Sequence, residues 1–129
     1  MSSTIITELD QVDSNIVHQE TNGFLVVSSK DEKDTRKCQQ LVYEGYCCLG
    51  ESGSVFEKIG EISFQKGHPD TYGVNGFTNE AVIAILIDRI LHLNEIVPCE
   101  ENVKALARLQ EAKELLEKRQ QRILDEAQN

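Results

Sequence analysis

Thr78–Asn129 reads TNEAVIAILIDRILHLNEIVPCEENVKALARLQEAKELLEKRQQRILDEAQN, and this stretch decides the fold. Val82, Ile83, Ile85, Leu86, Ile87, Ile90, Leu91 and Leu93 recur at helical spacing and fill more than one stripe. They predict a helix over about Asn79–Leu93 that is buried on at least two sides. Thr78 is a suitable N-cap, Glu80 suits the positive end of the helix dipole, and Phe77 is placed to staple onto Val82. Asn94–Pro98 is a turn, because proline cannot continue a helix. A second helix over about Glu101–Glu126, roughly 38 Å long, carries a single stripe of Val103, Leu106, Leu109, Ala112, Leu116 and Ile123. Glu100–Lys104 and Glu114–Lys118 are favourable i,i+4 pairs on its surface. Two antiparallel helices follow, the second longer than the first.

Ahead of this hairpin the pattern changes to β. Phe24–Val27 and Leu41–Leu49 are strand-like runs, the second interrupted by Gly45. Ile59–Gln65 alternates, with Ile62 and Phe64 on one side and Glu61, Ser63 and Gln65 on the other. Asp31–Lys37 is charged and Gly50–Ser54 is turn-like. Three or four short antiparallel strands are expected. The fold class is therefore α+β: a small N-terminal antiparallel sheet followed by a C-terminal two-helix antiparallel hairpin, oligomeric because the first helix has a second apolar face to cover. The chain divides into a polar leader or loosely docked arm at 1–22, a β-rich segment at 23–67, and a loop with the hairpin at 68–129, forming one compact unit.

Composition narrows the function. A net charge of −9 argues against nonspecific DNA, RNA or anionic membrane binding, although it permits a locally positive pocket. No run of about eighteen apolar residues is present, and the N-terminus lacks a basic start and an apolar core, so neither a membrane span nor a signal peptide is expected. The expected compartment is the cytosol, with Cys38, Cys47, Cys48 and Cys99 as reduced thiols. The core is thinly supplied, with four Phe, three Tyr and no Trp, which favours oligomerisation.

Catalytic and metal signals are weak. Adjacent Cys47 and Cys48 point to opposite faces of a strand, and no zinc spacing accompanies them. His18, His68 and His92 are scattered, and His92 with Cys99 is explained by packing at the helix turn. No catalytic residues, metal ligands or cofactor are expected. The loop KGHPDTYGVNGF at 66–77 is more informative. Gly73-Val74-Asn75-Gly76 directly precedes a helix start, where turned backbone N–H groups and the helix dipole suit an anion. A tight turn that binds nothing has the same pattern. Arg119 and Arg122, three apart near the end of the second helix with Lys118 beside them, suit phosphate, and they also suit the negative end of the dipole. Phe64 and Tyr72 flank the loop and can stack on a base, or serve as core residue and loop anchor respectively.

Phe64-Gln65-Lys66-Gly67, Gly73-Val74-Asn75-Gly76, Glu80 and Ile87-Asp88-Arg89-Ile90, followed by Glu101-Asn102, Ala105-Leu106, Leu109, Ala112, Leu116, Arg119 and Arg122, form a set. This set resembles the helical hairpin shared by phage sponges acting against the Thoeris and CBASS defence systems. The β-rich segment ahead of it is closer to the Thoeris anti-defence protein one family than to the all-helical anti-CBASS sponge. The resemblance covers 60–129 in detail and 1–59 by architecture. Members often continue beyond the last arginine into a Gly-rich tail, where this sequence reads Ile-Leu-Asp-Glu-Ala-Gln-Asn.

The resemblance implies a protein that binds cyclic ADP-ribose isomers, such as glycocyclic ADP-ribose, and sequesters them uncleaved in the cytoplasm of the infected bacterial host. It also implies binding of cyclic di- or trinucleotides, and homodimers that assemble into hexamers. The nucleotide-binding residues it implies are Phe64, Gln65, Asn75, Gly76, Asn79, Arg89, Arg119 and Arg122. The competing readings are an enzyme that degrades such signals and a structural oligomer whose loop and arginines only hold subunits together.

Overall fold

The computed structural model describes residues 5–6, 16–29, 42–49 and 55–128. The expected Asp31–Lys37 and Gly50–Ser54 connections and Cys38 lie outside these residues. The chain divides into two units, Met1–Gly76 and Phe77–Asn129, where one compact unit was expected. The 66–76 loop belongs to the first unit, with the sheet, and not with the hairpin.

The first unit is a five-stranded antiparallel sheet built from β1 (Ile5–Ile6), β2 (Ile16–Gln19), β3 (Leu25–Ser29), β4 (Val42–Leu49) and β5 (Val55–Ser63), ordered β1-β5-β4-β3-β2. Both edges come from the segment read as a polar leader or loosely docked arm. The reason for β2 is local. Asn22-Gly23 is a turn signal between two apolar runs. Gly23 takes a φ of +93°, Glu20 N–H donates to Phe24 O at 2.8 Å, and Asn22 Oδ1 accepts from Phe24 N–H at 3.1 Å. The chain is thereby turned back so that Gln19 pairs with Leu25 and Ile16 with Val27.

Cross-strand register sorts the sheet residues into two faces. Leu25 opposite Tyr46 and Cys48 opposite Phe56 share one face with Val27. Leu25, Val27, Tyr46 and Phe56 are buried there and form the core, with Cys48 packed against them. Beside the core, Lys58 Nζ bridges Glu44 at 2.9 Å and Glu61 at 3.3 Å, and the Tyr46 hydroxyl donates to Glu44 at 3.3 Å. Burial, then the Glu44 charge, pushes the Tyr46 phenol up. The hydrogen bond to Glu44 does the same for the Lys58 ammonium, against the opposing effect of burial.

Gly45 does not interrupt β4. It pairs with Gly60, and the register then shifts so that Tyr46 faces Lys58, leaving Ile59 as the extra residue of a bulge. A Cβ at Gly45 would lie 3.1 Å from the Phe24 ring, so the glycine lets that ring close over the strand. This second face carries an open groove of 370 Å³ lined by Phe24, Val26, Tyr43, Ile59 and Ile62, among others.

The second unit is the helical hairpin, α2 (Asn79–Ile96) and α3 (Glu100–Gln128), which follow a four-residue helical turn, α1 (Pro69–Tyr72), in the first unit. Thr78 caps α2 as expected, its hydroxyl accepting from Ala81 N–H at 3.1 Å. α2 runs one turn beyond Leu93 because Asn94 is a brace as well as a turn residue. Its Oδ1 accepts from Cys99 N–H at 3.0 Å and from Asn102 Nδ2 at 3.3 Å. Val97, ahead of Pro98, leaves helical geometry and ends α2. On α3, Glu100–Lys104 forms at 2.6 Å. The expected Glu114–Lys118 pair is replaced by Lys113–Glu117 at 3.2 Å, with Gln110 donating to Glu114 at 3.4 Å. α2 has no buried residue; Ile85, Leu86, Leu91 and Leu93 all remain exposed on the single chain.

Candidate functional site

The end of β5 and the loop after it close on each other through two side-chain amides. Gln65 Nε2 donates to Gly73 O at 2.8 Å and to Gly67 O at 3.2 Å, while its Oε1 accepts from Asn75 N–H at 3.0 Å. Asn75 Oδ1 accepts from Lys66 N–H at 2.7 Å, and Asn75 Nδ2 donates to Lys66 O at 3.0 Å. Each amide thus uses both its donor and its acceptor on loop backbone.

Glycines make this closure possible. A Cβ on Gly76 would sit 2.5 Å from Phe64 C and O and 2.7 Å from Gln65 N, so only a glycine lets the two backbones touch. Gly67, at φ +74°, lies under the Tyr72 ring. The loop read as irregular contains α1, which starts with the His68 ring accepting from Asp70 N–H at 3.2 Å and ends at Gly73, φ +75°. Tyr72 is the loop anchor, packed over Gly67. Phe64 is half-buried and meets the Tyr43 ring edge-on, with centroids 5.5 Å apart at 82°. Tyr43 also lines the groove on the sheet face.

Four of the eight candidate residues, Phe64, Gln65, Asn75 and Gly76, are therefore brought together in the first unit. The other four lie in the second. Asn79 opens α2, Arg89 lies midway along it, and Arg119 and Arg122 lie on α3. All four are exposed. Arg122 makes an exposed pair with Glu126 at 3.4 Å. Arg89 and Arg119 have no ion pair among the described residues. Among the described residues, no three His, Cys, Asp or Glu are grouped to hold a metal ion.

Sequence reasoning missed Tyr43, whose contact with Phe64 depends on the pairing of β4 with β5. It also missed the mutual bracing of Gln65 and Asn75. A signal for the latter was present: one amide residue at each end of a glycine-rich loop.

Comparison with known proteins places the loop and hairpin in a family. The Acb2/Tad1 hairpin domain matches residues 57–121. A relative from Bacillus phage SBSphiJ7, called Thoeris anti-defense 1, is 38% identical over 63 residues, which is 48% of this chain and 44% of the relative. The alignment thus spans less than half of that relative's length. The matched segment contains Phe64, Gln65, Asn75, Gly76, Asn79, Arg89 and Arg119, while Arg122 falls just beyond it. With half of its length matched, this chain belongs to the Acb2/Tad1 hairpin-domain family.

Proposed function

We propose that this chain is a phage anti-defence protein that binds cyclic ADP-ribose isomers, glycocyclic ADP-ribose among them, and holds them uncleaved in the cytoplasm of the infected bacterium. Withholding the signal keeps the Thoeris effector off. The observation that carries this reading is the family match itself, which spans the braced loop and the hairpin and extends to a relative named for anti-Thoeris activity.

The chemistry agrees. In the first unit Phe64 offers an aromatic surface for a base and the loop offers backbone polar groups; in the second, Arg89 and Arg119, with no ion pair among the described residues, carry guanidinium groups of the kind that grip a pyrophosphate. Local positive charge of this kind is compatible with a net charge of −9. Cyclic di- and trinucleotides of CBASS systems belong to the same ligand class and are proposed as further ligands. The working state is a homodimer that assembles into a hexamer. Ile85, Leu86, Leu91 and Leu93 of α2 are each 43–53% exposed on the single chain, and a second copy covering them accounts for that apolar surface.

One experiment tests the reading. The protein is incubated with glycocyclic ADP-ribose, filtered, then denatured, and the released nucleotide is chromatographed. Sequestration predicts depletion of the free ligand and recovery of intact ligand only after denaturation. Recovery of an altered nucleotide means an enzyme, and no depletion at any stage means a structural oligomer.

A further inference from the structure

We propose that Gln65 and Asn75 are positioning residues, a pair of amides that hold the 66–76 loop in its binding shape before any ligand arrives; this rests on the sequestration reading above. The resemblance cast both as ligand-binding. Their geometry points to a different division of labour. Gln65 reaches forward to Gly73 O and Asn75 N–H, and Asn75 reaches back to Lys66 N–H and Lys66 O. The two residues are ten apart in sequence, and their four bonds of 2.7–3.0 Å cross the mouth of the loop in both directions. Gln65 spends both N–H groups on loop carbonyls, and Asn75 spends the N–H and lone pair of one amide edge on Lys66, so neither keeps a donor and an acceptor side by side for a base.

What the latch positions is Phe64. Asn75 draws its neighbour Gly76 onto the backbone of Phe64, where a Cβ would find 2.5 Å of space. With the latch shut, the end of β5, the aromatic ring and the loop backbone form one fixed surface. A loop ordered in advance does not lose that freedom on binding, and ligand meets a population already in the competent state.

The test uses Gln65→Glu and Asn75→Asp, made separately in the full chain. Each keeps the side-chain shape and the acceptor oxygen but replaces the donating NH₂, so a carboxylate oxygen faces the carbonyl of Gly73 or Lys66. Two readouts are combined: backbone amide exchange at Lys66 and Asn75 without ligand, and association and dissociation rates with glycocyclic ADP-ribose.

The parent should protect both amides in the absence of ligand. Each variant should lose that protection and associate about tenfold more slowly, with its dissociation rate little changed, because only the competent fraction has fallen. Circular dichroism of α2 and α3 should match the parent, which separates loop opening from misfolding; if one variant fails to fold, the other carries the test. Unprotected amides in the parent overturn the proposal. So does a variant that keeps protection but dissociates faster, because that residue then touches the ligand directly. So does a variant that opens the loop and still associates at the parent rate. A parent that protects both amides yet takes up no nucleotide overturns the sequestration reading and the positioning role with it, while the latch itself stands.

Discussion

The carboxamide of Asn75 makes a two-bond ring with the peptide of Lys66, accepting from its N–H at 2.7 Å and donating to its carbonyl at 3.0 Å. This is the pairing one strand makes with another, supplied here by a side chain. It continues the end of β5 into a loop whose own backbone turns away at Gly67 and Gly73, both at positive φ. Phe64 therefore ends in a braced corner, and the effects of changing the loop divide into backbone and amide effects.

Asn75→Gly keeps a permissive backbone and deletes the amide. It should cost about 1–3 kcal/mol of stability, because two hydrogen bonds to Lys66, each contributing about 0.5–1.5 kcal/mol, are removed. Affinity for glycocyclic ADP-ribose should fall roughly tenfold or more. Chemical denaturation and titration calorimetry on the same preparation measure both. Unchanged values for Asn75→Gly and Asn75→Ala alike would remove Asn75 from any role in the site.

Replacing Arg119 and Arg122 together by alanine should weaken nucleotide binding while leaving the ligand-free thermal transition nearly in place. Charge-assisted hydrogen bonds to phosphate contribute on the order of 1.5–3 kcal/mol each, whereas an exposed pair such as Arg122–Glu126 contributes little. Calorimetry showing parental affinity in the double variant would mean that these arginines serve solubility alone.

The small core makes Leu25 a sensitive position. It is 1% exposed, and Leu25→Ala should cost about 2–5 kcal/mol, a large part of the 5–15 kcal/mol or so that a typical domain has. Val17 on the edge strand β2 is 57% exposed, and Val17→Ala should change stability by no more than about 0.5 kcal/mol. Urea denaturation of the two variants checks the contrast; equal losses would contradict the described packing.

Alkaline pH should destabilise the sheet. Tyr46 and Lys58 both have folded-state pKa values raised above their ordinary values of 10.0 and 10.5. In each case the folded state favours the protonated form, so the stabilisation is fully present below the unfolded value and is lost as pH rises through the folded one. The Tm should hold up to about pH 10 and decline above it. Tyr46→Phe should flatten that decline. A Tm scan from neutral pH upward in which parent and Tyr46→Phe superimpose would rule out this linkage.

Leu86→Glu with Leu91→Glu should give a monomer of unchanged helicity if α2 is covered by a second copy, since both side chains are exposed on the single chain. Light scattering reads the mass and circular dichroism the helix content. A parent that is itself a well-behaved monomer at micromolar concentration would overturn the proposed assembly.

The hairpin was legible in the sequence because its determinants are local. The Thr78 cap reaches three residues to Ala81, the Glu100–Lys104 pair spans one helical turn, and Pro98 ends a helix by its own covalent geometry. The β3 and β4 runs and the second half of β5 could be read from their apolar residues, although β5 starts at Val55 and ends at Ser63 where Ile59–Gln65 was expected, and the resemblance of the 64–122 residues to a sponge hairpin pointed to the family that residues 57–121 match. The strands at Ile5–Ile6 and Ile16–Gln19 were not read, although Asn22-Gly23 marked the turn behind the second, because a polar, acidic segment becomes an edge strand only when a neighbour supplies the hydrogen bonds. The candidate site divides in the same way. Glycines at 73 and 76 ahead of a helix announced a tight loop. That Gln65 and Asn75 would direct their amides into that loop was decided by tertiary structure alone, since a side-chain amide bonds to whichever backbone groups the fold leaves unpaired within its reach, and those groups exist only once the chain has closed.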